Sequence, residues 1–246
     1  MISSAPLEDR VRAYLASLGA LGFAAAEAPT IAALADRDWG AAWREHFRPL
    51  RLGRRLLVAP PWDVPSAPDR VVLVIEPGRA FGTGHHGTTA GCLILLERAL
   101  ERLTPSDAID LGTGSGILAI AAAKLGVPRV LAVDDDPDAV AVATANAAIN
   151  GVSERVLGRR QDAAAVDAPP APLVLANLLT AAHVRLAASY ARLVAPGGAL
   201  LLGGILDDEA ALVGDHVRGA GFDSVEPFSI DGWTTLGCRA PVHDRA

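Results

Sequence analysis

The residues of this chain whose types and spacing could do chemistry gather in one stretch, Ala108-Ile109-Asp110-Leu111-Gly112-Thr113-Gly114-Ser115-Gly116. Apolar positions and an acid lead into three alternating glycines. An apolar run from Ile117 to Leu125 follows, and Val130-Leu131-Ala132-Val133 then ends in Asp134. Strand, glycine loop, helix, strand and acid is the order of a nucleotide-binding βαβ unit. Glycines let the backbone turn tightly and approach a ligand closely, and an acid placed like Asp134 suits the two hydroxyls of a ribose. The spacing departs from the dinucleotide pattern G-x-G-x-x-G, because Ile117 stands where the third glycine would be. Asp110, just before the loop, would repel a pyrophosphate and attract a cationic ligand, such as the ammonium and sulfonium of S-adenosylmethionine. These details favour S-adenosylmethionine over a nicotinamide dinucleotide. A glycine-rich turn without a ligand is the plainer alternative.

The elements that must position these residues alternate regularly. Strands are expected near 108–111, 129–133, 154–158, 172–176 and 199–203, and helices near 116–125, 137–150, 180–194 and 207–220. Continuous apolar strands such as Leu173-Val174-Leu175-Ala176 imply a parallel sheet covered on both faces. The end differs: Val225–Ile230 and Trp233–Arg239 are separated only by Asp231-Gly232, which reads as a tight hairpin. A parallel sheet closed by an antiparallel hairpin is a feature of class I methyltransferases that nicotinamide-binding domains lack. The expected fold is therefore α/β and Rossmann-like, with a mostly parallel seven-stranded sheet, a C-terminal antiparallel hairpin and a small N-terminal helical appendage.

Before this region, Leu7, Val11, Leu15, Leu18 and Leu21 recur at helical spacing. Glu8 and Asp9 precede the apolar stretch where a signal peptide would be positive, so the protein is expected in the cytoplasm. Asp38 is placed to cap a second helix, Trp39 to Phe47, whose Trp39, Trp43 and Phe47 form a packing stripe. Arg44, Arg48, Arg51, Arg54 and Arg55 form a basic run, either a solvated face or a meeting place for an acidic partner. Leu56-Leu57-Val58 and Val71 to Ile75 read as strands, and Pro60, Pro61, Pro65 and Pro68 lie between them in a stiff linker. The expected organisation is a recognition and linker region 1–59, a Pro-rich linker 60–70 and a catalytic domain 71–246. A net charge of −6 argues against a general nucleic-acid binder, and no apolar run is long enough to span a membrane. Cys92 and Cys238 are far apart and outside any metal spacing, and read as core residues.

One further segment makes a resemblance specific. Glu76-Pro77-Gly78-Arg79-Ala80-Phe81-Gly82-Thr83-Gly84-His85-His86-Gly87-Thr88-Thr89 resembles the signature loop of the ribosomal protein L11 methyltransferase family, PrmA. The stretch Asp110–Ala121, Ala176-Asn177-Leu178, Pro196-Gly197-Gly198, Gly204-Ile205-Leu206 and the Asp38-Trp39 region are similar to other family motifs, over roughly residues 36–240. The resemblance implies S-adenosylmethionine-dependent methylation of amines, lysine side chains or an N-terminal amine, on a ribosomal protein, and the protein is expected to act as a monomer without direct nucleic-acid binding. It implies cofactor contacts from Thr89, Gly112, Asp134 and Asn177, to which Asp110, Gly114, Asp162, Thr83 and Gly84 are added. Asp162 would accept from the adenine amino group. Asn177 would orient the incoming amine, or alternatively cap the helix 180–194, for which Thr180 also serves.

Phe81 to Thr89 would form a lid, with Phe81 and His85 at the reacting centre beside Asn177, and Thr88 or Thr89 would cap the helix from Ala90 to Leu103. No third ligand joins His85 and His86 at metal spacing, and no metal is expected. The family places an α/β recognition domain before the linker. Residues 1–36 show one helix and no clear strand, so substrate recognition is expected to be reduced. The alternatives are a methyltransferase for another protein or a small amine, a nicotinamide-dependent oxidoreductase and a cofactor-binding module without catalysis.

Overall fold

The computed structural model describes residues 5–21, 47–77 and 87–242. The chain divides into two compact units, Met1–Arg44 and Glu45–Ala246. In the first, the helix Ala5–Ala20 has Val11, Leu15 and Leu18 half-buried, as helical spacing of its apolar residues requires, while Tyr14 is exposed. The helix expected over Trp39–Phe47 lies outside the described residues, Phe47 apart.

The second unit begins with a three-stranded sheet, in the order β1 (Leu50–Leu52), β2 (Leu56–Ala59), β3 (Val71–Val74). Gly53, at φ 53°, turns β1 antiparallel onto β2, and β3 pairs with β2 in parallel. The basic run is thus split between β1 (Arg51) and the turn (Arg54, Arg55). The Pro-rich segment joins two paired strands of one sheet, and the boundary between compact units falls after Arg44, not in the prolines. The outer edge of β3 is met by a side chain rather than a strand. Asn150 accepts from Val74 N–H (2.9 Å) and donates to the Val74 carbonyl (2.6 Å). One amide group thereby satisfies both polar groups of a strand residue.

The main sheet contains β4 (Asp107–Leu111), β5 (Arg129–Asp134), β6 (Val156–Arg160), β7 (Ala171–Asn177), β8 (Val194–Leu206), β9 (Ser224–Ile230) and β10 (Trp233–Arg239), in the order β6-β5-β4-β7-β8-β10-β9. The five strands from β6 to β8 are parallel, and β10 and β9 close the sheet antiparallel. Along β7, Leu173 and Leu175 pack with the helices Gly87–Leu100 and Ile117–Lys124. Val174 and Ala176 point to the other face, toward the helices Thr180–Leu193 and Ala210–Gly219. Alternation along a strand buried on both sides explains why β7 is apolar throughout. Asp231 (φ 51°) and Gly232 (φ 82°) take the left-handed pair of angles that a two-residue hairpin needs. Cys92 and Cys238 are buried and free, and burial pushes both thiols up to about 12.

Two local expectations change. The helix expected to start at Ala90 starts at Gly87 and ends at Leu100, so Thr88 and Thr89 lie inside its first turn and do not cap it. The helix Thr180–Leu193 has Leu179 at its N-cap with no side-chain hydrogen bond. Thr180 donates instead to Glu209 (2.5 Å), and Asn177 is not a cap.

Candidate functional site

Chain order reverses between β4 and β7: β4, β5 and β6 run one way across the sheet, and β7 and β8 run the other. A crevice must open at such a switch point, outside the carboxyl ends of the strands. A cavity of about 360 Å³ lies there, and Gly112, Gly114, Asp134, Asp162 and Asn177 all reach its wall.

The glycine loop forms one side. Gly112 has φ 68°, and a β-carbon on it would collide with the Leu178 side chain at the end of β7. Gly116, at φ 82°, lets the helix Ile117–Lys124 start within 3.0 Å of the Ala143 backbone, counted from where its β-carbon would be. Ile117, in place of the third dinucleotide glycine, lines the cavity. Asp134 pins the loop: its carboxylate accepts from Gly114 N–H (2.9 Å) and Asp136 N–H (3.1 Å). A carboxylate has about four acceptor positions, so about two remain for ligand hydroxyls. Asp136 in turn caps the helix Pro137–Ile149, accepting from Asp138 N–H (2.9 Å). From that helix Asn146 donates to the Ser115 carbonyl (2.8 Å) and accepts from Glu76 N–H (3.1 Å), joining the loop to the segment after β3.

Asp110 departs from its expected place. It is buried behind the loop and does not line the cavity. One carboxylate oxygen accepts from the Thr113 hydroxyl (2.6 Å) and Ala119 N–H (3.2 Å), while the other, Oδ1, has no partner. Burial pushes its pKa up to about 6, with the two hydrogen bonds pulling the other way and the Asp134 charge adding to the rise. Its part is to anchor the loop, and the signal for that was Thr113, three residues on.

On the far side, Asp162 accepts from Ala164 N–H (2.9 Å) and so shapes the turn Ala163–Ala165 at the cavity edge. Asn177 Nδ2 donates to Thr89 Oγ1 (3.2 Å), and its Oδ1 is buried without a partner. Thr89 is itself buried and stands behind Asn177, not in the cavity wall. The neighbouring Thr88 hydroxyl is also buried and unpartnered. Two residues that the sequence reading missed line the cavity. Gln161, just before Asp162, donates to the Ala165 carbonyl (2.8 Å) and leaves its Oε1 unpartnered. Arg185 lies on the helix face that also presents Ala182 to the cavity, and spacing of three along a helix leaving Asn177 was its only signal. Phe81, Thr83, Gly84, His85 and His86 lie outside the described residues. Among the described residues no three His, Cys, Asp or Glu side chains converge as a metal site.

The cleft thus offers oxygens in want of donors. Gln161 Oε1 and Asn177 Oδ1, on residues that line it, are buried and unpaired, and so are Asp110 Oδ1 and the Thr88 hydroxyl, which lie outside its wall. Buried polar atoms are nearly always satisfied, so unpaired acceptors on two cavity-lining residues point to a donor-bearing ligand. A molecule with an ammonium, an amino group and a diol, such as S-adenosylmethionine, fits that set and the cradle above Gly112.

Comparison with known proteins agrees. The family model for ribosomal protein L11 methyltransferase (PrmA) matches residues 6–241, so the similarity starts well before residue 36. A relative named ribosomal protein L11 methyltransferase from Geobacter metallireducens is 46% identical over 221 residues, 88% of this chain and 71% of the relative. One of the same name from Trichlorobacter lovleyi is 42% identical over 247 residues, 96% of this chain and 76% of the relative. The crystal structure of a ribosomal protein L11 methylase from Lactobacillus delbrueckii subsp. bulgaricus superposes with a TM-score of 0.73 at 29% identity, over 79% of this chain and all of that one. An S-adenosylmethionine-dependent O-methyltransferase from Thermotoga maritima, at 14% identity and a TM-score of 0.55, shares the fold alone. With its seven-stranded sheet, glycine cradle and matched sequence, the chain belongs to the ribosomal protein L11 methyltransferase family.

Proposed function

We propose that this protein methylates amines of ribosomal protein L11, at lysine side chains or an N-terminal amine, with S-adenosylmethionine as methyl donor, acting as a monomer in the cytoplasm. The observation that carries the reading is the buried, unpaired Oδ1 of Asn177 at the carboxyl end of β7, across the cleft from the glycine loop. The glycine loop and Asp134 would hold the methionine and ribose parts of the cofactor, and Gln161 and Asp162 would face the adenine. When bound, the cofactor supplies an electrophilic methyl group that leaves its sulfur as a neutral thioether.

The chain's own part is to place an uncharged amine. Asn177 Nδ2 is engaged by Thr89 Oγ1, which leaves the amide oxygen Oδ1 as the acceptor for one amine N–H. That orientation directs the nitrogen lone pair away from Asn177 and toward the cofactor side. Placement of this kind, with a good leaving group, supplies most of what the reaction needs. The new N–C bond leaves the nitrogen positive, and its proton passes to solvent.

Free lysine has a pKa of about 10.4, so at neutral pH nearly all of it is ammonium, which has no lone pair. Turnover is therefore expected to rise from about pH 7 to 9, earlier if the cleft desolvates the amine. Tritiated S-adenosylmethionine with purified ribosomal protein L11, followed by mass spectrometry of the labelled peptides, tests the reading. Label on lysine or N-terminal nitrogen is the expected result, and absence of label, or label on carboxyl or hydroxyl oxygen, overturns it.

A further inference from the structure

Behind the cleft, in the core between β8 and the helix Thr180–Leu193, lie two fully buried residues with polar groups, His183 and Tyr190. Leucine and phenylalanine would fill the same space without the cost of burying polar atoms. The pair persists because its hydrogen bonds are complete, and those bonds lead to one place. His183 Nε2 lies 2.7 Å from the Gly203 carbonyl. A carbonyl only accepts, so Nε2 carries the hydrogen, and the neutral ring accepts at Nδ1 from the Tyr190 hydroxyl (2.8 Å). Burial holds the His183 pKa below its ordinary value, which keeps this tautomer uncharged.

Gly203 is the residue of β8 opposite Asn177 in the sheet register. Its carbonyl accepts a second hydrogen bond, from Leu178 N–H (3.1 Å). A β-carbon on Gly203 would come 3.0 Å from Asn177 Oδ1, and one on Gly204 would collide with the Leu178 carbonyl. Leu178 in turn covers Gly112 of the cofactor loop. The helix, the end of β7 and β8 therefore meet at one oxygen, on the residue paired with Asn177.

We propose that His183, backed by Tyr190, is a positioning residue for methyl transfer: through the Gly203 carbonyl it fixes the Asn177–Leu178 turn, and so the direction of Asn177 Oδ1. This rests on the reading of Asn177 given above. A purely structural residue would act on stability and on every step alike, whereas one working through Asn177 loses its effect when Asn177 is gone.

The test is single-turnover methyl transfer to ribosomal protein L11 by wild type, His183→Leu, His183→Gln, Asn177→Ala and the His183→Leu/Asn177→Ala double variant, with S-adenosylhomocysteine affinity measured for each. His183→Leu is expected to slow transfer about tenfold and leave the dissociation constant within about twofold. His183→Gln, which keeps an N–H donor, should recover part of the rate. In the Asn177→Ala background the same change should cost under about twofold. If His183→Leu does not fold, Tyr190→Phe takes its place, with a loss of about threefold that again needs Asn177. Transfer at the wild-type rate in the variant used, or an equal loss in both backgrounds, overturns the proposal while Asn177→Ala remains impaired. Asn177→Ala at the wild-type rate removes the reading of Asn177 and this proposal with it.

Discussion

The two sides of the cleft differ in how far their polar groups are held by the chain itself. On the β4–β5–β6 side Asp134 and Asp162 line the cleft already bonded to backbone N–H groups of the loops that they shape, and Asp110 holds Ala119 N–H of the following helix from behind; the oxygens left unpaired there are Asp110 Oδ1 and Gln161 Oε1. That side is already assembled before a ligand arrives. On the β7–β8 side the one polar side chain at the strand end that lines the cleft, Asn177, keeps its Oδ1 without a partner, and His183 and Tyr190 are hydrogen-bonded in the interior behind it. A group that must be bound tightly is met by a preorganised surface, and one that must enter, react and leave is met by unpaired acceptors on a stiff support. The first side should accordingly control cofactor affinity and the second the transfer rate.

Asp134→Ala should break the first side most severely. It removes the pin of Gly114 and the acceptors for two hydroxyls, at a cost to S-adenosylhomocysteine binding of roughly 2–4 kcal/mol by calorimetry. Unchanged affinity would take Asp134 out of the site.

Asp110 sharpens the comparison through pH. Its folded pKa, about 6, lies above the ordinary 3.8 because the carboxylate is desolvated. A carboxyl with a raised folded pKa holds its proton more tightly in the native state. Its contribution to stability is therefore fully present below about pH 4 and is lost as pH rises through about 6, a difference of about 3 kcal/mol. Urea unfolding of wild type and Asp110→Asn from pH 4 to 7.5 should show that slope in the first and not in the second. Parallel curves would mean that Asp110 is not the source.

Asn177→Ala should separate the two sides. Methyl transfer should fall by about 1.5–2 kcal/mol of barrier, roughly 10–30-fold, with cofactor affinity within about twofold. A variant that loses cofactor affinity and transfer in proportion would mean that Asn177 belongs to the binding side.

What could be read in advance follows the range of the interactions. The glycine loop and the Asp231-Gly232 hairpin were legible because backbone angles demand those residue types locally, and Asp134 because an acid at a strand end beside such a loop has nearby N–H groups to accept from. Asp110 was recognised but misplaced, since a strand-end carboxylate can face a cleft or sit behind it, and only packing decides. Thr88 and Thr89 were recognised but moved inside the helix, because Gly87 extends it by a turn. Gln161 and Arg185 carry no pattern of their own and reach the cleft only through the course of the chain. The Pro-rich segment looked like a boundary because proline stiffens any loop, and what cancels that reading is the pairing of β2 with β3 across it, which no local pattern announces.

Asn150 and Asn146 also set an order of events during synthesis. The strands β1, β2 and β3 leave the ribosome well before the helix Pro137–Ile149 and its C-cap Asn150, which complete the polar groups of Val74 and Glu76. At about 5–20 residues per second, the nascent chain carries β3 with an unfinished edge for roughly 4–15 s. A short strand in that state is open to pairing with the wrong chain. Closure by an amide side chain, which offers a single residue's worth of bonds at one position, then occupies the polar groups of Val74 that another strand would need.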